Sequence, residues 1–256
     1  MKELIISELE RYMSRKKTLI SIIFLMFINI LWGLFMSKSG IGFYDANIIT
    51  KLDSLNFSQF ILRDLHVILL FIICPMIFID SFNGENAEGA YRMVALRSYS
   101  RMKLMISKLI SGFIILVGIV LLLFIVNSLF GMIFLPEVTT TKIINHGITL
   151  GVAKAIFYNI KFYMLELLIL LAAMIICFFI STISFNTIVA FILTDAFFIL
   201  SLYIIDDFDV FLMNTKYIFD VLKEVNVFKF YLIPILCILF GILLSSFVWT
   251  KRDYIK

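Results

Sequence analysis

Six apolar stretches, each long enough to cross a bilayer, limit what this chain can fold into more than any other feature. They run about 18–36, 62–82, 109–134, 162–183, 188–205 and 230–249. A helix rises 1.5 Å per residue, so roughly 20 apolar residues cross about 30 Å of hydrocarbon. Lipid offers the backbone no hydrogen bonds, and a helix is the segment that satisfies its own N–H and C=O groups. The balance of residue types agrees. The 256 residues are 62% hydrophobic and 16% charged, with mean hydropathy +1.06, against about 45–50% apolar and about 25% charged in a soluble domain. The expected fold is an all-α membrane protein of one domain over 1–256. It has six transmembrane helices preceded by an N-terminal interfacial amphipathic helix.

The second span is the most polar. Arg63, Asp64 and His66 stand at its start, and Pro75 and Asp80 lie within it. Pro75 removes a backbone donor and is expected to kink the helix. The first span follows basic residues and ends near Ser37-Lys38-Ser39, a pattern that imitates a cleavable leader. Its apolar run exceeds the 7–15 residues of a leader core, so it is read as a retained helix.

Lys and Arg set the direction of threading. With the N-terminus inside, the internal segments hold 13 of the 22 basic residues and six of the seven arginines. Both termini are therefore expected in the cytoplasm of a bacterial cell, whose AT-rich coding suits the richness in Ile, Phe, Lys and Asn. In residues 2–17, Ile5, Leu9, Tyr12 and Met13 form an apolar stripe opposite Lys2, Glu3, Glu10, Arg11 and Ser14. That pattern is an amphipathic helix in the interface. The external loop 206–229 opens with Asp206, Asp207 and Asp209 and carries a second stripe of Tyr217, Ile218, Val221, Leu222 and Val225. It reads as a short helix or re-entrant hairpin packed at the outer surface. The acidic cluster reads as a cation site or as the solvated cap of a helix N-terminus.

Cys74, Cys177 and Cys237 are odd in number, lie in apolar stretches and have no CxxC spacing. They are read as buried thiols. His66 and His146 stand eighty positions apart, and no metal site is expected.

The segment between the second and third spans carries the chemistry. It reads Asp80-Ser-Phe-Asn-Gly-Glu85-Asn-Ala-Glu88-Gly89-Ala-Tyr-Arg92 and continues through Arg97, Ser100-Arg101 and Lys103 to Lys108. Glu85, Glu88 and Arg92 fall at helical spacings and can pair along one face. A charged loop that only enforces topology would look the same.

These residues resemble the ABC-2 type permeases, membrane subunits of ATP-binding-cassette exporters. That family shows a glutamate, a glycine four residues on, leucines, a Pro-x-Ser-Arg stretch and a lysine opening the third span. Glu85 and Gly89 match the first pair, Ser100-Arg101 the Ser-Arg, and Lys108 the lysine. Met93 and Val94 stand at the leucine positions. Ser98 replaces the proline, and Ala90 stands where threonine is common. The closing Phe247-Val-Trp-Thr-Lys251-Arg252-Asp253 is similar to the family's ending.

The resemblance implies that this loop is a coupling helix docking on an ATPase through Glu85, Glu88, Gly89, Arg92 and Arg101. It implies a second permease copy, or a related one, across the substrate path. The chain has no GxxxxGK[ST] loop, so ATP and Mg would be used by a separate polypeptide, with no cofactor bound here. Lipid is the other expected partner, and nucleic acid is not one. The chain is similar to small permeases that export peptides or confer immunity to them, which points to an amphipathic or hydrophobic peptide as substrate.

Within the spans, Asp195 and Asn127 are the candidates for the substrate path. A central Asp costs about 2.5–3.5 kcal/mol on insertion scales, so it is expected to face protein or water. It either lines the path or senses a proton, or it bonds a neighbouring polar side chain. Glu166 is expected to snorkel outward. Asn29, Asn127, Ser128, Thr194 and Ser201 also suit contacts between helices. Two other function classes remain open on sequence. One is a non-transporting scaffold or sensor. The other is an intramembrane hydrolase, for which neither a Ser–His pair nor an HExxH helix appears.

Overall fold

Residue type and spacing place helix over nearly all of the chain. The computed structural model describes residues 1–45, 48–84, 99–142, 149–204, 206–212, 214–224 and 227–251. Helix α1 (Lys2–Ser14) leads through an extended Arg15 into α2 (Lys16–Ser39). Gly40 ends α2 in the left-handed conformation at φ 65°, its N–H bonding Met36 O. The absence of a Cβ makes that exit cheap. A hairpin of β1 (Ile41–Asp45) and β2 (Ile48–Lys51) follows. Helix α3 begins as Phe57–Ile68 and widens into π-helical turns over Leu69–Ile73 and Pro75–Gly84. Then come α4 (Arg101–Phe134), a hairpin of β3 (Thr140–Lys142) and β4 (Thr149–Gly151), and α5 (Val152–Ile183). Helix α6 (Thr187–Ile204), a 3-10 turn (Asp206–Phe211), α7 (Asn214–Leu222) and α8 (Val227–Lys251) complete the order.

Among the described residues, five helices are long and apolar enough to cross a membrane: α2, α3 with its π-helical extension, α4, α5 and α8. The remaining expected span corresponds to α6, an apolar helix of 18 residues and so about 27 Å long. The chain is thus an all-α membrane protein by its spanning elements, with an additional helix at its N-terminus.

The two hairpins are additions to an all-α reading. Ile49 and Thr50 in the first, and Thr140, Thr141 and Thr149 in the second, are β-branched residues that favour strands. Both ladders are antiparallel, with Ile41 opposite Lys51 and Thr140 opposite Gly151. Thr141 Oγ1 bonds Asp53 Oδ2 at 2.5 Å, so the second hairpin clips onto the turn that starts α3. Asp53 Oδ1 accepts from the N–H groups of Leu55 and Asn56, fixing that turn. The loop 206–229 holds the short helix expected there: Ile218 and Phe219 of α7 are buried, and Tyr217 Oη donates to Asp209 Oδ1 at 2.6 Å.

Pro75 lies where α3 runs in π-helical turns. Cys74 N–H bonds Leu69 O, five residues back. Pro75 has no N–H to restore the tighter pattern, and the wide turn persists to Gly84. Helix α5 is the hub. It packs against α3's π-helical part, α4, α6, α7 and α8, and Ala172, Ala173, Phe178 and Cys177 are fully buried on it.

Candidate functional site: the junction at the basic end

One end of the bundle gathers α1, the start of α2, the end of α3, the starts of α4 and α6, and the ends of α5 and α8. Residues 85–98 connect α3 to α4 at this end. Glu85, Glu88, Gly89 and Arg92 lie outside the described residues, but both anchoring points of their segment are described.

The upstream anchor is Asp80. Its carboxylate takes Lys17 Nζ at 2.5 Å and Arg15 Nη1 at 3.4 Å, and Arg15 Nη1 also donates to Asp80 O at 2.5 Å. The elbow between α1 and α2 therefore grips the last turns of α3. One residue on, Ser81 O accepts from Lys108 Nζ at 3.4 Å. Lys108 is 2% exposed and pairs with Glu8 Oε2 at 3.1 Å, itself 3% exposed. Arg11 Nη1 bonds the other oxygen of Glu8 at 2.9 Å. The lysine that opens the third span is thus neutralised by the N-terminal helix rather than by solvent. Asn83 Nδ2 donates to Ser184 O at 3.4 Å, tying α3 to the end of α5.

The downstream anchor is the start of α4. Ser100 caps it by accepting from Lys103 N–H, a capping role suited to its short hydroxyl. Arg101 Nη1 donates to Thr250 O at 2.9 Å, and Trp249 Nε1 donates to Arg101 O at 3.1 Å. Trp249 packs on Phe178, which meets Phe82 edge-on at 4.6 Å. Arg101 is therefore joined to the last turn of α8.

The packed face of α1 differs from the expected stripe. Tyr12 is buried as expected and Ile5 and Leu9 partly so, but Met13 is 49% exposed and Glu8 is buried. Glu8 stands three residues after Ile5 and four before Tyr12, so the period placed it on the packed face. Its charge had hidden it. Ser111 Oγ donates to Ile5 O at 3.3 Å on the same contact between α1 and α4.

Beside the junction lies an apolar pocket of about 350 Å³ between α2, the π-helical part of α3 and α6. Lys17 and Asp80 rim it, and Met76, Ile79, Ile188 and Phe191 are among its lining. Asp195 lies on the same face of α6, seven residues beyond Ile188 and so two turns along. It is half-buried, and its Oδ1 is buried with no hydrogen-bond partner among the described residues.

Asn127 sits elsewhere, fully buried, with its Nδ2 bonding Tyr163 Oη at 3.1 Å. Tyr163 in turn donates to Ser58 O at 3.0 Å. Asn127 is therefore a link among α3, α4 and α5.

Glu166 does not snorkel. It is fully buried, and His66 Nδ1 lies 2.5 Å from its Oε1. His66 Nε2 lies 2.6 Å from Phe211 O. A carbonyl only accepts, so Nε2 carries a proton, and a further proton sits between Nδ1 and Oε1. This cluster joins α3, α5 and the 3-10 turn. Its members lie one hundred and forty-five positions apart at the extremes, and no local spacing announces it.

Residues 18–255 match the family described as protein of unknown function, DUF2705, and the chain belongs to that family. No curated protein matches it.

Proposed function

We propose that this member of the DUF2705 family is the membrane-spanning permease subunit of an ATP-binding-cassette exporter. A separate ATPase docks on the 85–98 segment, and a second permease copy, or a related one, completes the path. The substrate is hydrophobic or amphipathic, and a peptide fits best. The setting is a bacterial cell membrane, with both termini in the cytoplasm.

The observation that carries this reading is the anchoring of both ends of that segment. Upstream, Asp80 and Ser81 are held by Arg15, Lys17 and Lys108; downstream, Arg101 is held by the last turn of α8. A loop that only enforced topology would need no such ties. A loop that delivers movement does need them, because a push on it must reach the spans through stiff contacts. Glu85, Glu88 and Arg92 would offer charge-assisted hydrogen bonds to the ATPase.

The apolar pocket supports the substrate class. Its walls suit an apolar group, and Asp195, farther along the same face of α6, would receive a cation. Half a path of this kind gains its other wall from the second copy.

The test is purification from native membrane in mild detergent, with stoichiometric companions identified by mass spectrometry. Wild type brings down a soluble ATPase, and the Glu85→Lys, Glu88→Lys double variant loses it. No ATPase with either protein, under conditions that preserve other complexes, favours the scaffold reading.

A further inference from the structure

The end of the bundle opposite the junction carries a groove that the transport reading does not use. It measures about 710 Å³ and runs between α5, the end of α7 and the start of α8. Phe157, Lys161, Met164 and Leu168 of α5, Glu224 after α7 and Tyr231 of α8 are among its lining. That volume is in the range of sites for single small ligands.

Its polarity is graded along the helix. Lys161 stands where the apolar run of α5 begins, and Leu168 lies seven residues deeper, about 10 Å at helical rise. Charge is therefore confined to the membrane boundary, with an apolar wall below it. At the rim, Lys161 Nζ lies 4.9 Å over the ring of Phe157. Across from it, Glu224 is exposed. Neither has an ion-pair partner among the described residues.

Glu224 is also the one described residue other than glycine with positive φ, at 62°. It closes α7 through its N–H to Val221 O at 2.9 Å. Glycine is the usual residue at such a position. A side chain held there is strained, and strain of this kind collects at binding sites.

We infer that this groove binds a phospholipid with a zwitterionic, amine-bearing headgroup. The lipid phosphate sits on Lys161, the headgroup ammonium on Glu224, and one acyl chain runs down α5 past Met164 and Leu168. Two opposite charges at the rim match two opposite charges in one headgroup. An anionic lipid without an amine would satisfy Lys161 and be repelled by Glu224. A peptide could present both charges, but two of the groove's walls, α5 and α8, are spanning helices at leaflet depth, where lipid is the solvent.

The experiment uses the full chain in nanodiscs of equal phosphatidylethanolamine and phosphatidylglycerol. After mild detergent extraction, native mass spectrometry counts the lipids retained per chain. One lipid per chain is expected, with the ethanolamine lipid favoured at least fivefold. Glu224→Gly keeps and relaxes the turn, and it should bring the ratio near one. Lys161→Gln should lower retention of both lipids at least fivefold. Equal retention by wild type overturns the assignment. So does a preference that survives Glu224→Gly, retention unchanged by Lys161→Gln, or a peptide recovered in place of lipid.

Discussion

Glu8 and Lys108 form a buried ion pair across two elements, with Arg11 on the other Glu8 oxygen. Removing one partner of such a pair costs about 3–5 kcal/mol, because the survivor keeps its charge without water or counter-charge. Glu8→Ala is therefore expected to lower the thermal unfolding midpoint in detergent sharply. The double replacement Glu8→Leu with Lys108→Met should recover most of the loss, since neither charge is then stranded. Equal losses in the single and double variants would show that the pair contributes only by packing. The cluster of His66, Glu166 and Phe211 O obeys a similar rule with one proton shared. Glu166→Ala leaves His66 Nδ1 without its partner and should cost about 1–3 kcal/mol. Glu166→Gln should cost less, because its amide N–H still reaches Nδ1. The same melting assay ranks them, and a reversed order would contradict the hydrogen-bond assignment. Glu8 was legible in part, since the helical period put it between Ile5 and Tyr12. The partners of His66 were not legible, because a contact over one hundred positions leaves no trace in local spacing.

At the scale of elements, the spans were readable because hydropathy is a long-window property that survives errors of a few residues. Their ends were less so. Helices α4 and α5 continue well beyond the apolar runs, to Arg101 and Val152, since polar turns outside the hydrocarbon still close i→i−4 bonds. The hairpins were missed because short strands of three to five residues carry little periodic signal. The contact of α5 with α8 depends on a residue that hydropathy ignores. A Cβ on Gly241 would come within 2.4 Å of Ile175 Cγ2. Small residues let spanning helices approach this closely. Gly241→Ala should push α8 outward and destabilise by about 1–3 kcal/mol, as overpacking does. Pairing it with Ile175→Ala should relieve the clash. If the single variant melts like wild type, the two helices are not in close contact there.

For the whole molecule, the proposed function requires both termini and the 85–98 segment on the cytoplasmic side of the membrane, with the hairpins and α7 on the other. The N-terminal part of this claim can be read with thiol labels in a background lacking Cys74, Cys177 and Cys237. Lys2→Cys should react only after the membrane is permeabilised, whereas Ile49→Cys, exposed on the first hairpin, should react in intact cells. The opposite pattern would invert the topology and remove the segment from the reach of any cytoplasmic ATPase. The permease proposal rests, in the sequence, on the order of Glu85, Gly89, Ser100-Arg101 and Lys108 along the chain. Geometry adds the anchors on either side of the segment. The most direct measurement of the central claim is a photo-crosslinker in place of Glu88, activated in native membranes, with the adduct identified by mass spectrometry. The account predicts a covalent adduct to an ATP-binding subunit. Adducts only to lipid, or only to other parts of this chain, would contradict it.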